Sequence, residues 1–295
     1  MKHSPQSGLV TTSGTAVYAR VTGAGPPVLL LHGFPQTHLM WRDVAPRLAD
    51  RFTVVCADLR GYGQSGAPPS TEDHEPYSKR AMALDMLEVM ACLGFERFAV
   101  VGHDRGARVA YRLALDHPDR VTRLGLLDAL PILTAWTRAD ARLALAFWPW
   151  SLLAQAEPLP ERLLAADPGA VIDNALAEWG TPASTFSPTV RKAYVDAIRD
   201  AAHVHAICEE YRAAAGIDRK HDQADADAGR RIRCPVLTLW SANGGLNSWY
   251  EGEGGPLALW REWAEDVRGR PMQGGHFFAE EHPHATAEEL RRFLS

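Results

Sequence analysis

The sequence lacks several features that would point to particular classes of protein. Basic residues are not in excess, since 31 Lys and Arg stand against 36 Asp and Glu, and this argues against a nucleic-acid partner. No apolar run approaches the ~18 residues that span a bilayer, so no membrane segment is expected. Residues 1–15 are polar and lack the apolar centre of a secretion signal, which favours a cytoplasmic location.

Cysteine is infrequent, with four residues in a chain of 295. Their spacing forms neither a Cys-x-x-Cys pair nor a metal-ligand pattern, so we expect free, buried thiols in a reducing compartment. The four residues are Cys56, Cys92, Cys208 and Cys234. The sequence therefore predicts neither a disulfide framework nor a cysteine metal site.

Short apolar runs alternate with helical patterns along most of the chain. Helices are predicted over residues 41–48, 79–93 and 284–294, together with one that starts at residue 105. Strands that alternate with helices favour a mostly parallel central sheet, with ligands bound at the carboxyl ends of its strands. The predicted fold class is therefore α/β. Its strands are expected over residues 15–21, 27–31, 52–57, 98–101, 122–127, 235–240 and 268–272.

The middle of the chain has a different sequence pattern. From about residue 130 to about residue 230 the pattern is helical, rich in Ala, Arg and Trp, and without a strand-like run. We interpret residues 131–230 as a helical lid, inserted between a first core part, residues 1–130, and a second core part, residues 231–295. The polar end of the lid, residues 218–229, is expected to be a connector.

The most specific motif follows the predicted strand 98–101. It reads Gly-x-Asp-x-Gly, from Gly102 through Asp104 to Gly106. A strand, a sharp turn and a helix in this order form the nucleophile elbow of α/β-hydrolases, here with Asp104 where serine usually stands. A carboxylate attacks saturated carbon and leaves an ester that can be hydrolysed afterwards. The alternative is that Asp104 only caps the helix.

A carboxylate nucleophile needs a base for the hydrolysis step and a partner that orients the base. His276 follows the last predicted strand, which is where this fold carries its histidine. No carboxylate follows the penultimate strand directly, whereas Asp128 ends the strand after the elbow. We choose Asp128 as the orienting acid, and Glu251 and Glu253 are weaker substitutes.

With these residues assigned, the sequence resembles the fluoroacetate and haloacetate dehalogenases of the α/β-hydrolase superfamily. The resemblance runs from about residue 15 to residue 293 and implies an α/β-hydrolase fold. It rests on His32-Gly33-Phe34-Pro35, Gly102-His103-Asp104-Arg105-Gly106-Ala107-Arg108, Asp128-Ala129-Leu130-Pro131, Trp150-Ser151-Leu152-Leu153-Ala154-Gln155, Cys208-Glu209-Glu210-Tyr211-Arg212 and Gly275-His276-Phe277.

The resemblance implies a reaction in two displacements. Asp104 attacks the α-carbon of a haloacetate and expels halide, and His276, oriented by Asp128, then activates water against the ester. Backbone N–H groups of Phe34 and Arg105 are expected to bind the oxyanion. No metal and no organic cofactor is needed. The partner is then a small haloacid, and the resemblance also suggests a homodimer.

Two arginines suit an anionic substrate. Arg105 and Arg108 lie three residues apart beside the elbow, so both are expected near Asp104. A guanidinium grips a carboxylate at two points, and its charge also keeps a neighbouring aspartate ionised. The alternative is a surface salt bridge on the helix.

The lid is expected to bind the departing halide. In the family a His-Trp pair and a Tyr do so, and Trp150 and Tyr211 match the Trp and the Tyr. Pro149 stands where the family has histidine, so one donor is missing and fluoroacetate is expected to be a poorer substrate. Trp148, Pro149 and Trp179 are expected to be pocket walls, and core packing is an alternative for such aromatics.

Two other functions compete with this interpretation. An epoxide hydrolase shares the Asp nucleophile and the His base, and Tyr194 and Tyr211 would then protonate an epoxide oxygen, but Arg105 argues against it. A catalytically silent fold that serves as a ligand receptor would have lost the nucleophile, the base or the acid. All three residues are present here.

Overall fold

An eight-stranded sheet forms the centre of the molecule, in a computed structural model that describes residues 6–295. The strand order is β1-β2-β4-β3-β5-β6-β7-β8. The first two strands pair antiparallel, and all pairs from β4 to β8 are parallel. The strands are β1 Gln6–Thr11, β2 Ala16–Thr22, β3 Pro27–Leu31, β4 Thr53–Ala57, β5 Phe98–His103, β6 Val121–Leu127, β7 Val236–Ser241 and β8 Val267–Met272.

The inner strands are apolar throughout because both faces of the sheet are covered. Successive side chains of a strand point to opposite faces. Accordingly, Leu29 and Val100 belong to one apolar cluster, whereas their neighbours Leu30 and Val101 belong to a second. This packing on both faces explains the continuous hydrophobic runs of β3 and β5.

Helices pack around the sheet and fill the long stretch between β6 and β7. None of the helices within residues 6–295 is both long and apolar enough to cross a membrane. The core helices are α1 Ala45–Leu48, α2 Lys79–Cys92, α3 Arg105–Asp116, α12 Gly245–Trp249, α13 Gly255–Arg261, α14 Phe278–Glu281 and α15 Pro283–Leu294. Those between β6 and β7 are α4 Ile132–Thr137, α5 Ala141–Ala146, α6 Trp148–Leu152, α7 Leu159–Ala166, α8 Pro168–Glu178, α9 Pro188–Ala197, α10 Ala201–Ala215 and α11 Ile217–Asp227.

The observed elements confirm the α/β class and correct several details. Residues 6–11 form an edge strand that the sequence analysis did not predict, and the predicted helix over 41–48 is a 3₁₀ turn, His38–Trp41, followed by α1. Cys56 and Cys208 are buried, but Cys92 is exposed and Cys234 is half-buried, so burial of all four thiols was wrong. The division into residues 1–130, 131–230 and 231–295 stays a proposal.

The expected connector over residues 218–229 is a helix instead. Asp218, Asp222 and Asp225 of α11 lie on one face and are almost fully buried. Asp222 accepts from Arg112 Nη2 at 2.7 Å, and Arg112 Nη1 also donates to Asp225 at 2.5 Å. The aspartates are therefore not solvated charges, since Asp218 joins α11 to Lys79 of α2, and Asp222 and Asp225 join it to α3.

Candidate active site

The turn between β5 and α3 holds Asp104 in a strained backbone conformation. Asp104 has φ +46° and ψ −111°, values that few non-glycine residues adopt. Two close approaches make its glycine neighbours necessary. A Cβ on Gly102 would lie 2.3 Å from the carbonyl oxygen of Gly106, and one on Gly106 would lie 2.3 Å from that of His32. The motif thus has the tight geometry of a nucleophile elbow.

The two carboxylate oxygens of Asp104 have different partners. Oδ2 accepts the backbone N–H of Phe34 at 3.1 Å, and Oδ1 accepts from Arg108 Nη1 at 2.8 Å. Burial by itself would raise the pKa of Asp104, but neighbouring positive charge, above all that of Arg108, outweighs it and holds that pKa well below its usual range. Asp104 is therefore an ionised carboxylate, and it does not cap α3.

His276 and Asp128 meet although 148 residues separate them in the sequence. His276 Nδ1 lies 2.5 Å from Asp128 Oδ2, and the other oxygen of Asp128 accepts the backbone N–H of Ser241 at 2.8 Å. Since the carboxylate can only accept, Nδ1 carries the hydrogen and Nε2 is left to take a proton. Glu251 and Glu253 are exposed, and Glu253 pairs with Arg138.

A second histidine supports the first. His103, the last residue of β5, donates from Nε2 to the carbonyl oxygen of His276 at 2.9 Å, and the two rings lie 4.5 Å apart. Burial lowers the pKa of His103 to about 4, so its ring is neutral near pH 7. His103 therefore ties the backbone of His276 to β5, the strand that leads into the elbow.

Arg105 differs from its expected role. Its Nε lies 2.8 Å from both carboxylate oxygens of Glu210, and its Nη2 lies 2.5 Å from one of them. The edge of the guanidinium that would grip a substrate at two points is thus occupied by Glu210. Only Nη1 has no hydrogen-bond partner within residues 6–295. Arg105 was expected to bind a substrate carboxylate at two points. This expectation is corrected, because Nη1 is the single donor that remains for a ligand.

Glu210 belongs to a buried ion-pair network that was not predicted from the sequence. Lys79 Nζ donates to Glu210 and lies 3.5 Å from Asp218, and all of these side chains are nearly inaccessible to solvent. Burial raises the pKa of Glu210, but Arg105 and Lys79 more than compensate and lower it. The sequence signal for this network was the stretch Cys208–Arg212, where a helical pattern continues through charged residues without an exposed face.

Arg108, in contrast, faces the cavity. Its Nη1 binds Asp104, its Nε has no partner among the described residues, and its guanidinium lies 4.6 Å from the centroid of the Trp150 ring. The alternative of a surface salt bridge is excluded for Arg108, because this residue is 5% exposed. Of the two arginines, Arg108 is the one that contacts both Asp104 and the cavity.

One cavity brings most of the candidate residues together. It leaves about 30 Å³ for the centres of water-sized groups, which suits a ligand of a few non-hydrogen atoms. Both polar and apolar side chains line it, from the core, from the helices between β6 and β7 and from α12. The lining residues are Asp104, Arg108, Asp128, Leu130, Ala135, Leu143, Phe147, Pro149, Trp150, Trp179, Tyr211, Leu246, Trp249, Tyr250 and His276.

Trp148 does not line this cavity, and its expected role as a wall is corrected. Its Nε1 donates to Asn174 Oδ1 at 2.7 Å, and its ring packs edge-on against Phe34. Pro149 and Trp179 do line the cavity, as expected. The apolar contribution of Leu246, Trp249 and Tyr250 was not predicted, because their stretch carries no motif.

The lid contributes two polar groups to the cavity. Within residues 6–295, neither the indole N–H of Trp150 nor the hydroxyl of Tyr211 is hydrogen-bonded to a protein group. Burial raises the pKa of Tyr211 well above its usual value, so the hydroxyl stays protonated. Tyr194 is different, since its hydroxyl binds Glu280 at 3.0 Å and it does not line the cavity. In the described residues, no group of three His, Cys, Asp or Glu side chains is arranged to hold a metal ion.

Comparison with known proteins places this site in a family. The model of the α/β-hydrolase fold family matches residues 26–283. A fluoroacetate dehalogenase of Burkholderia sp is 44% identical over 288 residues, which cover 97% of this chain and 93% of that protein. A soluble epoxide hydrolase of Corynebacterium sp. (strain C12) is 31% identical, over 96% of this chain and 95% of that protein.

The solved structures agree with the sequences. A protein from Nostoc sp PCC 7120 described as an alpha/beta hydrolase superposes with a TM-score of 0.95 at 46% identity, over 99% of this chain and 98% of that chain. The fold class and the family resemblance are thereby confirmed. This chain is a hydrolase that belongs to the fluoroacetate and haloacetate dehalogenase family of the α/β-hydrolase superfamily.

Proposed function

We propose that the protein hydrolyses short haloacetates to glycolate and halide through an ester on Asp104. The observation that carries the proposal is the environment of Asp104, an ionised carboxylate on a strained elbow, paired with Arg108 in a cavity that His276 also lines. A cavity of this size suits a two-carbon acid, and Arg108 supplies the charge that its carboxylate needs.

In the first displacement, Oδ1 of Asp104 attacks the α-carbon opposite the halogen, and the carbon–halogen bond breaks as the carbon–oxygen bond forms. Oδ2 is held by the Phe34 N–H, which leaves Oδ1 as the attacking oxygen. Arg108 binds Oδ1 in the absence of a ligand. A substrate carboxylate that binds Arg108 competes with Oδ1 of Asp104 for this donor. Oδ1 is then free to attack the α-carbon of the bound substrate.

In the second displacement, His276 removes a proton from water through Nε2, and the water oxygen attacks Cγ of Asp104. Negative charge develops on Oδ2, which the N–H of Phe34 already contacts, and the N–H of Arg105 is a second donor. The Cγ–Oδ1 bond then breaks, glycolate leaves with that oxygen, and His276 returns the proton to it. Asp128 holds the imidazole in the required tautomer throughout.

The expelled halide is stabilised from the lid side. We assign the indole N–H of Trp150 and the hydroxyl of Tyr211 as its donors, and Pro149 adds none. Fluoride depends more on such donors than chloride or bromide because it is the poorest leaving group of the three. We therefore expect fluoroacetate to be the slower substrate.

A single turnover in heavy-oxygen water tests the ester. The label should enter the carboxylate of Asp104, because the water oxygen is incorporated at Cγ. Label found only in glycolate would show direct attack of water on the substrate and would overturn the mechanism. The His276→Ala variant should release one equivalent of halide and then stop as the ester.

Epoxide hydrolysis is a second candidate, since the epoxide hydrolase relative matches 96% of this chain. Only Tyr211 of the two tyrosines considered lines the cavity, and Arg108 has no anion to bind in an epoxide. Turnover of an epoxide faster than of chloroacetate would favour this alternative. A cytoplasmic location and a homodimer remain predictions, which fractionation and light scattering test.

A further inference from the structure

The loop that carries His276 is attached to the lid. Residues 179–181, between α8 and α9, run against residues 275–277, between β8 and α14. The backbones are in direct contact, because a Cβ on Gly275 would lie 2.2 Å from the carbonyl carbon of Gly180. The Trp179 ring also meets the His276 ring edge-on at 5.3 Å.

Four hydrogen bonds join these two segments and α14. The N–H of His276 donates to the carbonyl oxygen of Trp179 at 2.8 Å, and the N–H of Phe277 donates to Thr181 Oγ1 at 3.1 Å. The Thr181 hydroxyl in turn donates to Glu281 Oε1 at 2.6 Å, and the N–H of Gly275 donates to the same oxygen at 2.7 Å. Thr181 is 2% exposed, so water does not replace these partners readily.

The nucleophile has no such dependence on the lid segment. Asp104 is held by its own turn, by the Phe34 N–H and by Arg108, and none of these contacts involves residues 179–181. His276 is held at its ring by Asp128, whereas the backbone on either side of it is held by the Thr181 hydroxyl and by Glu281. The base thus depends on contacts with residues 179–181 that the nucleophile does not have.

From this juxtaposition we propose that Thr181 is a positioning residue for the base, with Glu281 as its anchor, so that the Thr181 contact controls ester hydrolysis and not halide release. The proposal rests on the proposed function, in which His276 acts only in the second displacement. Removing the Thr181 hydroxyl frees the His276 loop to shift. A misplaced imidazole loses water activation, while Asp104 keeps its attack on the α-carbon.

The test separates the two steps in Thr181→Val, which keeps the branched shape and removes the hydroxyl. With chloroacetate in a single turnover, halide release should stay within about twofold of the wild type. Ester hydrolysis, followed by mass spectrometry of the intact protein, should slow by about ten- to a hundred-fold, the usual effect of leaving buried partners unsatisfied. Thr181→Ser keeps the hydroxyl and should restore hydrolysis.

Thr137→Val is the matched control, because the Thr137 hydroxyl bonds only within its own lid helix and is exposed. It should change neither step. If Thr181→Val does not fold, Glu281→Ala removes the anchor instead and should slow hydrolysis alone. Equal slowing of both steps, no slowing of either, or a Thr181→Ser variant as slow as Thr181→Val would overturn the proposal. Absence of an ester in the wild type would instead refute the proposed function.

Discussion

The core side and the lid side of the cavity are built in different ways. On the core side, Asp104, Asp128 and His276 are fixed by turns after β5, β6 and β8, and each has hydrogen-bond partners from the protein. On the lid side, Trp150 and Tyr211 present N–H and O–H groups that no described protein group accepts. In the proposed function, the core side carries the displacement chemistry and the lid side binds the leaving group.

The two arginines of α3 show the same division within one helical turn. Arg105 is committed to a buried network with Glu210 and Lys79, whereas Arg108 contacts the nucleophile and the cavity. A buried ion pair is costly to break from one side, because the remaining charge loses its partner. Arg105 is therefore important for stability, and Arg108 is the one whose partner a substrate can replace.

The largest effect is expected on the core side, from Asp128→Asn. An amide in this place puts the imidazole in the wrong tautomer, which lowers steady-state turnover by about 10⁴-fold in serine hydrolases with a comparable triad. The single-turnover release of halide should persist, since Asp104 does not need the base. Rapid-quench measurement of halide and of glycolate separates the two.

Glu253→Gln is the control for Asp128→Asn, because Glu253 is an exposed carboxylate paired with Arg138. Its turnover should match the wild type. Loss of halide release in Asp128→Asn would mean that Asp128 also shapes the nucleophile, and the separation of the two steps would fail.

Replacing the arginines should divide them into two classes. Arg108→Leu should lower kcat/KM for chloroacetate by about 1.5–3 kcal/mol, the cost of a charge-assisted hydrogen bond, with a smaller loss for neutral chloroacetamide. Arg105→Leu should instead lower the free energy of unfolding by about 3–5 kcal/mol, because it leaves the buried Glu210 with Lys79 alone. Denaturant titration beside kinetics on both substrates checks this.

If each variant gave the result expected of the other, the roles assigned to Arg105 and Arg108 would be reversed. If Arg108→Leu unfolds the protein while Arg105→Leu only loses activity on the charged substrate, Arg105 is the ligand-binding residue. Equal losses on chloroacetate and chloroacetamide in both variants would make both arginines structural.

The sequence predicted the core side better than the lid side, and the reason is physical. The elbow needs glycine at 102 and 106 because backbones approach within van der Waals distance, and such constraints leave a local pattern. Asp128 was chosen because it follows the apolar run of β6, and His276 because it lies between the last strand and the closing helix. Their separation in sequence did not matter, since the ends of parallel strands share one edge of the sheet.

Tertiary contacts without a local pattern were not predictable in this way. The aspartates of α11 look like a solvated connector until Arg112 and Tyr111 are found against them. Glu210, which lies on the lid helix α10, accepts hydrogen bonds from the guanidinium of Arg105. The spacing of residues within α3 cannot reveal this contact. Both Trp148 and Trp150 were expected at the cavity, yet of these two only Trp150 lines it.

The smallest effect is expected on the lid side, from Pro149→His. Pro149 lies in the first turn of α6, where its missing N–H is not needed by the helix, so histidine fits without disturbing that turn. The new donor would face the cavity beside Trp150. Because Trp148 is engaged by Asn174 outside the cavity, it does not compensate for the proline.

A donor to the leaving halide acts when charge develops in the transition state and therefore raises kcat more than affinity. Pro149→His should raise kcat/KM for fluoroacetate by about tenfold and leave that for chloroacetate and bromoacetate nearly unchanged, because these halides leave more easily. Leu145→His, on the exposed face of α5, is the control and should alter none of the three. A wild type that releases fluoride as fast as chloride would contradict the argument, since Trp150 and Tyr211 would then suffice, and the lid would not select the leaving group through this position.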